Sequence, residues 1–424
     1  MRAVVLGIGT LILACSMPAG DVSDLVQRDP TAPVGAAVLG APRIWYSPYD
    51  SVDWTTTLRL KAQTHDHTGI TDARLLGYDS AGYAFVPVMD YSGVASLPYT
   101  RKRRLWPADS VVAPRTRNAM RNLRAWVPAA EEVGYQHLVS LFLTQYIAKW
   151  EPDQYASREP WMYGSTQEAI TAIEARGGFA ILAHPWGPWE QFAGLSGYEG
   201  MEVYSAFAEQ RFLNQASATS DDRFFAARNR NTDLMQAWDR VLGTGRFVVG
   251  VAVNDHHGPY PNSTPTDPRV RDSGKILVLT DTASLEGLAR AMRRGSILAV
   301  ADRGVPKDQI PRLDSLRIEG SVIHLHTDAS VRWFANGRML DAFSDSLDVA
   351  TLPVATRYVR AELRGADGSV VFLQPILLRA RGDVNGDFSV DSEDDRICRE
   401  AAAAGDAPPR LRAACADRPT PRDS

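Results

Sequence analysis

Between residues 55 and 300 short apolar runs recur, and each borders a residue that can bind a metal or carry a proton. Leu58, Leu60 and Ala62 alternate with Arg59, Lys61 and Gln63 and lead into His65-Asp66-His67. Phe85 to Met89 ends on Asp90, His137 precedes Leu138 to Phe142, Phe179 to Ala183 delivers His184, and Phe247 to Val253 delivers Asp255. Period-2 alternation and short apolar runs bounded by turn residues are strand signals. Helical stretches fall between them. Ala73 to Gly82 is short, and Ser165-Thr166-Gln167-Glu168 is a capping box for a helix closed by Gly177-Gly178. Asp221 to Leu242 is long and amphipathic, and Ser284 to Arg294 follows the run Lys275 to Leu279 as the last unit. Around Ala125-Trp126-Val127-Pro128 no strand is expected, because the proline closes the apolar run. Apolar strands each followed by a helix predict an α/β fold with a parallel sheet covered on its outer side. So many units favour a barrel over an open sheet, and polar residues at the C-terminal strand ends of a barrel read as catalytic.

The chain has eight histidines, and six of them fall in four of these segments: His65 with His67, His137, His184, and His256 with His257. His65 and His67 share a side if their strand runs on, and neutral imidazoles supply metal lone pairs without adding charge. The other two, His324 and His326, repeat the His-x-His spelling without comparable neighbours and read as the solvated face of an ordinary strand. Asp66 is either a partner that orients a histidine or merely polar.

The net charge of -4 argues against a dedicated nucleic-acid binder. Residues 4 to 14 form an apolar run behind Arg2, too short to span a bilayer. With Leu11-Ile12-Leu13-Ala14-Cys15 it resembles a bacterial lipoprotein signal, with Leu13 departing from the commonest pattern. A plain secretory signal is the alternative, and both imply an exported protein, anchored by lipid at Cys15 or secreted. Fractionation of a Cys15→Ser variant tests the anchor. Setting Cys15 aside leaves Cys398 and Cys415, a pair able to form a disulfide in an oxidising compartment. Residues 16 to 54 are rich in Pro, Gly, Ser and Asp and read as a tether and entry segment.

From about Pro311 the pattern changes to short strands with two-residue hairpin signals, Asn336-Gly337 and Asp367-Gly368. A small antiparallel, sandwich-like β domain over 311–380 is expected. In the tail, 381–424, Asp383, Asn385, Asp387, Ser389, Asp391 and Asp394 fall at the oxygen-donor spacing of a calcium loop. They resemble one half of a dockerin-type loop, with Phe388 where a glycine is usual and no second copy; a flexible acidic tail is the alternative.

Taken in order, His65-Asp66-His67, Met89-Asp90, Glu131-Glu132 to His137, Gly178 to Pro185 and Asn254 to His257 resemble the PHP family, named for polymerase and histidinol phosphatase. The likeness extends more loosely to its secreted carbaryl hydrolase-type branch. It covers about residues 55 to 305 and implies a distorted βα barrel carrying divalent metals at the strand ends. Carried over, His65, His67 and Asp255 hold one metal and His137 and His184 a second. Glu131 or Glu132 bridges them, with Glu132 preferred, and Asp90 and His257 complete the ligand positions. The family's third metal takes two further histidines; here the residues after His67 hold none up to Leu76, and Tyr91 follows Asp90. Two metals are therefore expected, with His257 free for proton transfer and Tyr91 hydrogen-bonding a substrate oxygen.

Two cations about 3.5 to 4 Å apart can share a hydroxide from a water whose pKa falls towards about 7. A histidine-rich set with carboxylates suits Zn, Mn or Fe over Mg or Ca. The leading expectation is a hydrolase of phosphoesters, with diesters or neutral esters ahead of monoesters. A carboxylic ester or carbamate hydrolase with the same site is an alternative, as is a non-catalytic metal-containing binding module. Arg101, Lys102, Arg103 and Arg104 form a basic run after Asp90, either a solvated face or a grip on an anionic small-molecule substrate. Glu202-Val203-Tyr204 also resembles a family segment but is assigned to packing.

Overall fold

In a computed structural model of the chain the described residues are 41–66, 72–88, 91–92, 114–132, 137–143, 165–185, 189–207, 231–255, 273–302, 310–380, 382–385, 392–404 and 415. The first strands are β1 (Pro42–Tyr46), β2 (Leu58–Ala62), β3 (Tyr83–Val88), β4 (Tyr91–Ser92), β5 (Ala125–Glu132) and β6 (Leu138–Leu141). Then come β7 (Phe179–Leu182), β8 (Gly200–Ser205), β9 (Val249–Val253), β10 (Gly274–Thr280) and β11 (Ile297–Ala301). The later strands are β12 (Leu313–Glu319), β13 (Val322–Thr327), β14 (Ser330–Ala335), β15 (Arg338–Met339), β16 (Ser346–Asp348), β17 (Tyr358–Arg364), β18 (Val370–Leu373) and β19 (Ile376–Ala380). The helices are α1 (Asp72–Ser80), α2 (Pro114–Ala119), α3 (Thr166–Glu174), α4 (Trp189–Ala193), α5 (Asn231–Leu242), α6 (Leu285–Arg294) and α7 (Ser392–Ala404). Among the described residues no helix is long and apolar enough to cross a membrane.

Local chemistry sets the helix ends. Ser165 Oγ accepts the Glu168 N–H at 3.2 Å to open α3, as the capping box predicts. Ser284 does the same for α6, which Gly295 closes at φ 73°.

The fold is mixed α/β, built on one large sheet ordered β1-β19-β17-β18-β11-β10-β2-β3-β5-β6-β7-β8-β9, with β4 and β14 branching from it. A closed barrel, expected from the strand count, is not formed. Nor is the sheet uniformly parallel: β6 runs antiparallel to both β5 and β7, and β10 is antiparallel to β2 and β11. For β5 and β6 the reason is visible in the chain, because the link from Glu132 to Leu138 is too short for the crossover that a parallel neighbour needs. Ala125–Pro128, expected to lie outside any strand, pairs in parallel with β3 from Phe85 to Val88. Pro128 sits where β5 passes from its β3 partner to β6, a break in the ladder at which a residue without an N–H is tolerated.

One face of the sheet forms a continuous core. Ala62, Phe85, Val127, Ile181, Val251 and Ile276 meet there, against Leu288 and Met292 of α6. The other face of β7 to β9 is covered by α3 and α5, whose Ile170, Ile173, Trp238 and Val241 pack on Leu182, Met201, Val203 and Ala252. From residue 311 onward β12, β13 and β16 make a separate three-stranded sheet, while β18 pairs with β11 and continues the large one. Asn336 and Gly337 both take positive φ, 48° and 77°, between β14 and β15, the backbone that the two-residue hairpin requires. His324 and His326 lie on β13, with His326 79% exposed, as a solvated face predicts. Within the stretch expected as a tether, β1 pairs antiparallel with β19.

In the tail, Cys398 and Cys415 are joined in a disulfide. Asp383 and Asp394 are buried, and Asp394 Oδ1 accepts the backbone N–H of Val384 at 2.7 Å and of Asn385 at 3.3 Å. Asp387, Ser389 and Asp391 lie outside the described residues.

Candidate metal centre

Three strand ends converge. β2 ends at Ala62 and carries His65 three residues on; β7 ends at Leu182 and carries His184; β9 ends at Val253 and carries Asp255. His65, His184 and Asp255 each present a ligand atom, and these atoms lie within 4.8 Å of one another. Asp255 stands between the imidazoles, Oδ1 at 3.2 Å from His65 Nε2 and Oδ2 at 3.8 Å from His184 Nε2. His137 adds a third ring, its centroid 5.1 Å from that of His184, which in turn is 5.7 Å from His65.

Two of the three residues hold strained backbone. His184 has φ 28° and Asp255 φ 54°, in the region that side chains with a Cβ rarely enter. Such strain costs of order 1–3 kcal/mol per residue and persists only where neighbours enforce it. The Asp255 N–H donates to His65 O at 3.0 Å, and the His184 N–H donates to Glu202 Oε2 at 2.7 Å.

Glu202 is the residue that sequence reading missed. It was read as packing, yet this fully buried carboxylate on β8 binds both halves of the centre. Its Oε2 holds the His184 backbone, and its Oε1 lies 2.6 Å from His65 Nδ1. With a proton on Nδ1 donated to Glu202, His65 directs the Nε2 lone pair at Asp255, an arrangement that requires a cation or a proton between them. The donor set, two imidazoles and a carboxylate with a second carboxylate behind, is one that a divalent transition metal accepts. A polar residue inside a strand that is otherwise wholly buried was the available signal.

Asp66 accepts a hydrogen bond from the buried Tyr78 hydroxyl of α1. Tyr91 and Glu132 enter through backbone alone: β4 pairs Tyr91 with Glu131 and Ser92 with Glu132. The side chains of Tyr91, Glu131 and Glu132 lie outside the described residues, as do His67, Asp90, Arg101, Arg103, Arg104 and His257.

No family model matches the chain, and no curated protein matches it. Among solved structures it is similar to a two-domain protein from Bacteroides vulgatus described as containing a predicted PHP-like metal-dependent phosphoesterase. Identity is 12%, the match covers 82% of this chain and 96% of that one, and the TM-score is 0.38.

Proposed function

We propose that the chain is a metal-dependent hydrolase whose centre is built on His65, His184 and Asp255. The observation that carries this reading is the convergence of their ligand atoms within 4.8 Å from three separate strand ends. A bound divalent cation would supply Lewis acidity and lower the pKa of a water towards about 7. The chain's own groups do the rest. Glu202 fixes the His65 ring and the His184 backbone, and the Asp255 carboxylate is shared between the two imidazoles.

The finer reading extends the site to two metals, Zn, Mn or Fe, with His67, Asp90, Glu132 and His137 as further ligands. His257 passes a proton to the leaving group, Tyr91 contacts a substrate oxygen, and Arg101, Arg103 and Arg104 meet an anionic substrate. Phosphoesters are the proposed substrate class, supported by the strand-end motifs and by the fit of such a centre to charge on phosphoryl oxygens. The test is metal analysis of the purified protein beside aryl phosphate monoesters, diesters and carboxylic esters. Hydrolysis of diesters, lost on chelation and in His184→Ala, is the expected outcome. Cleavage of carboxylic esters alone would move the substrate class, and bound metal without turnover of any substrate would make the centre a binding module.

A further inference from the structure

The large sheet fails to close where β9 meets β10 and the end of β2, and amide side chains bridge that seam. Gly274, the first residue of β10, lies so close to β9 that a Cβ on it would fall 1.9 Å from Val253 O. Its N–H donates to Asn254 Oδ1 at 3.1 Å, and its C=O accepts from Gln63 Nε2 at 2.8 Å. Asn254 directly precedes Asp255, and Gln63 lies two residues before His65. Two of the three metal-facing strand ends, those of β2 and β9, are thus tied through a carboxamide to one glycine.

A third carboxamide comes from far along the chain. Gln374, in the corner between β18 and β19, directs Oε1 to the Gly250 N–H at 2.7 Å and Nε2 to the Gly250 C=O at 2.8 Å. Gly250 is the second residue of β9, whose other edge is laddered to β8. One amide side chain therefore replaces a missing strand rung, filling a donor and an acceptor that would otherwise be buried unpaired. Gln374 is 1% exposed and is itself anchored, because its backbone N–H donates to the Tyr49 hydroxyl at 2.8 Å. Tyr49 OH donates in turn to Ile297 O at 3.2 Å, and burial pushes its pKa up, keeping it a donor. Trp238 covers the same glycine from α5: a Cβ on Gly250 would come within 2.7 Å of its ring.

We infer that Gln374 is a positioning residue for the metal centre: the C-terminal β region sets the register of β9 and so fixes where the Asp255 carboxylate stands. The inference rests on the reading of Asp255 as a metal ligand, and its test separates the two.

Gln374→Met keeps the volume of the side chain and removes both bonds; Gln374→Glu, driven to its neutral form by burial, keeps an acceptor for the Gly250 N–H and a hydroxyl donor for its C=O. In the full chain without metal, hydrogen exchange over 249–255 should quicken at least tenfold in Gln374→Met and less in Gln374→Glu, with α6 unchanged. Titration with Zn²⁺ or Mn²⁺ should show at least tenfold weaker binding in the same order. Unchanged exchange over 249–255, or equal acceleration in α6, overturns the inference, and so does failure of both variants to fold, since Gln374 would then be a global structural residue. Quickened exchange with unchanged metal affinity also overturns it, leaving Gln374 a structural residue of β9; if the unaltered protein takes up no metal, the metal reading fails and takes the inference with it, whatever the exchange shows.

Discussion

Two buried ionic clusters in this molecule are built on opposite principles. Around Arg360, charge is balanced. The guanidinium grips Asp239 with two bonds of 2.7 Å and Glu362 with one of 2.8 Å, while Arg364 reaches the other oxygen of Glu362 at 2.5 Å. The Arg360 side chain is fully buried, over Phe334 at 4.1 Å and Trp238 at 5.4 Å. Burial works against the charged form, but Asp239 and Glu362 outweigh it and push the pKa up. At the strand ends the makeup differs: the described partners of the buried carboxylates Glu202 and Asp255 are the imidazoles of His65 and His184 and the backbone N–H of His184. A cluster that closes on itself is an architectural joint, here fastening β17 to α5. One that gathers imidazoles and carboxylates at converging strand ends has the donor set of the metal site proposed above.

Breaking the balanced cluster should cost most. Arg360→Met leaves Asp239 and Glu362 buried without their cation and should lower unfolding stability by about 3–5 kcal/mol in urea titration, with or without metal. A loss below about 1 kcal/mol would make the cluster ornamental. Asp255→Asn should behave in the opposite sense. With the carboxylate replaced by an amide of the same shape, which can still bond to the imidazoles, the metal-free protein should stay close to its parent in stability. It should lose the metal-induced stabilisation of about 2.7 kcal/mol expected at a hundredfold excess of metal over Kd. Destabilisation of the metal-free variant would place Asp255 among the structural residues.

The smallest effect concerns a carboxylate satisfied in a third way. Burial raises the Asp79 pKa, but the N–H groups of Leu123, Asn122 and Arg121 outweigh it and hold the carboxyl below its ordinary value. Because the folded pKa is depressed, its contribution is present above the unfolded value near about 3.9 and is lost as pH falls through the folded one. Asp79→Asn should therefore flatten the acid limb of stability below about pH 4 and change little at pH 7, as followed by circular dichroism. An unchanged acid limb would remove Asp79 from the account.

What the chain discloses about its centre follows a simple divide. His65, His184 and Asp255 were legible because an apolar run fixes the end of its own strand, and the residue just beyond it is local information. Glu202 was not, since its partners come from two other strands and its own run records only burial. Gln63, Asn254 and Gln374 were illegible for the same reason at longer range: the seam they bridge exists only once β9 lies against β10. The expectation of a parallel sheet fails at β6 on spacing that is present in the chain, the short link from β5. At Ala125–Pro128 no strand is expected yet one forms, because a proline reads as a terminator until it is known where the ladder changes partners.

The pairing of β1 with β19 carries a consequence in time. Pro42 finds its partner Ala380 more than 300 residues later. At about 5–20 residues per second, the first strand emerges on the order of tens of seconds before its complement exists. Through that interval the β1 edge has no ladder, and such non-local pairings are the slow steps of folding. The β1–β19 ladder therefore cannot form until nearly all of the sheet's other strands have been made.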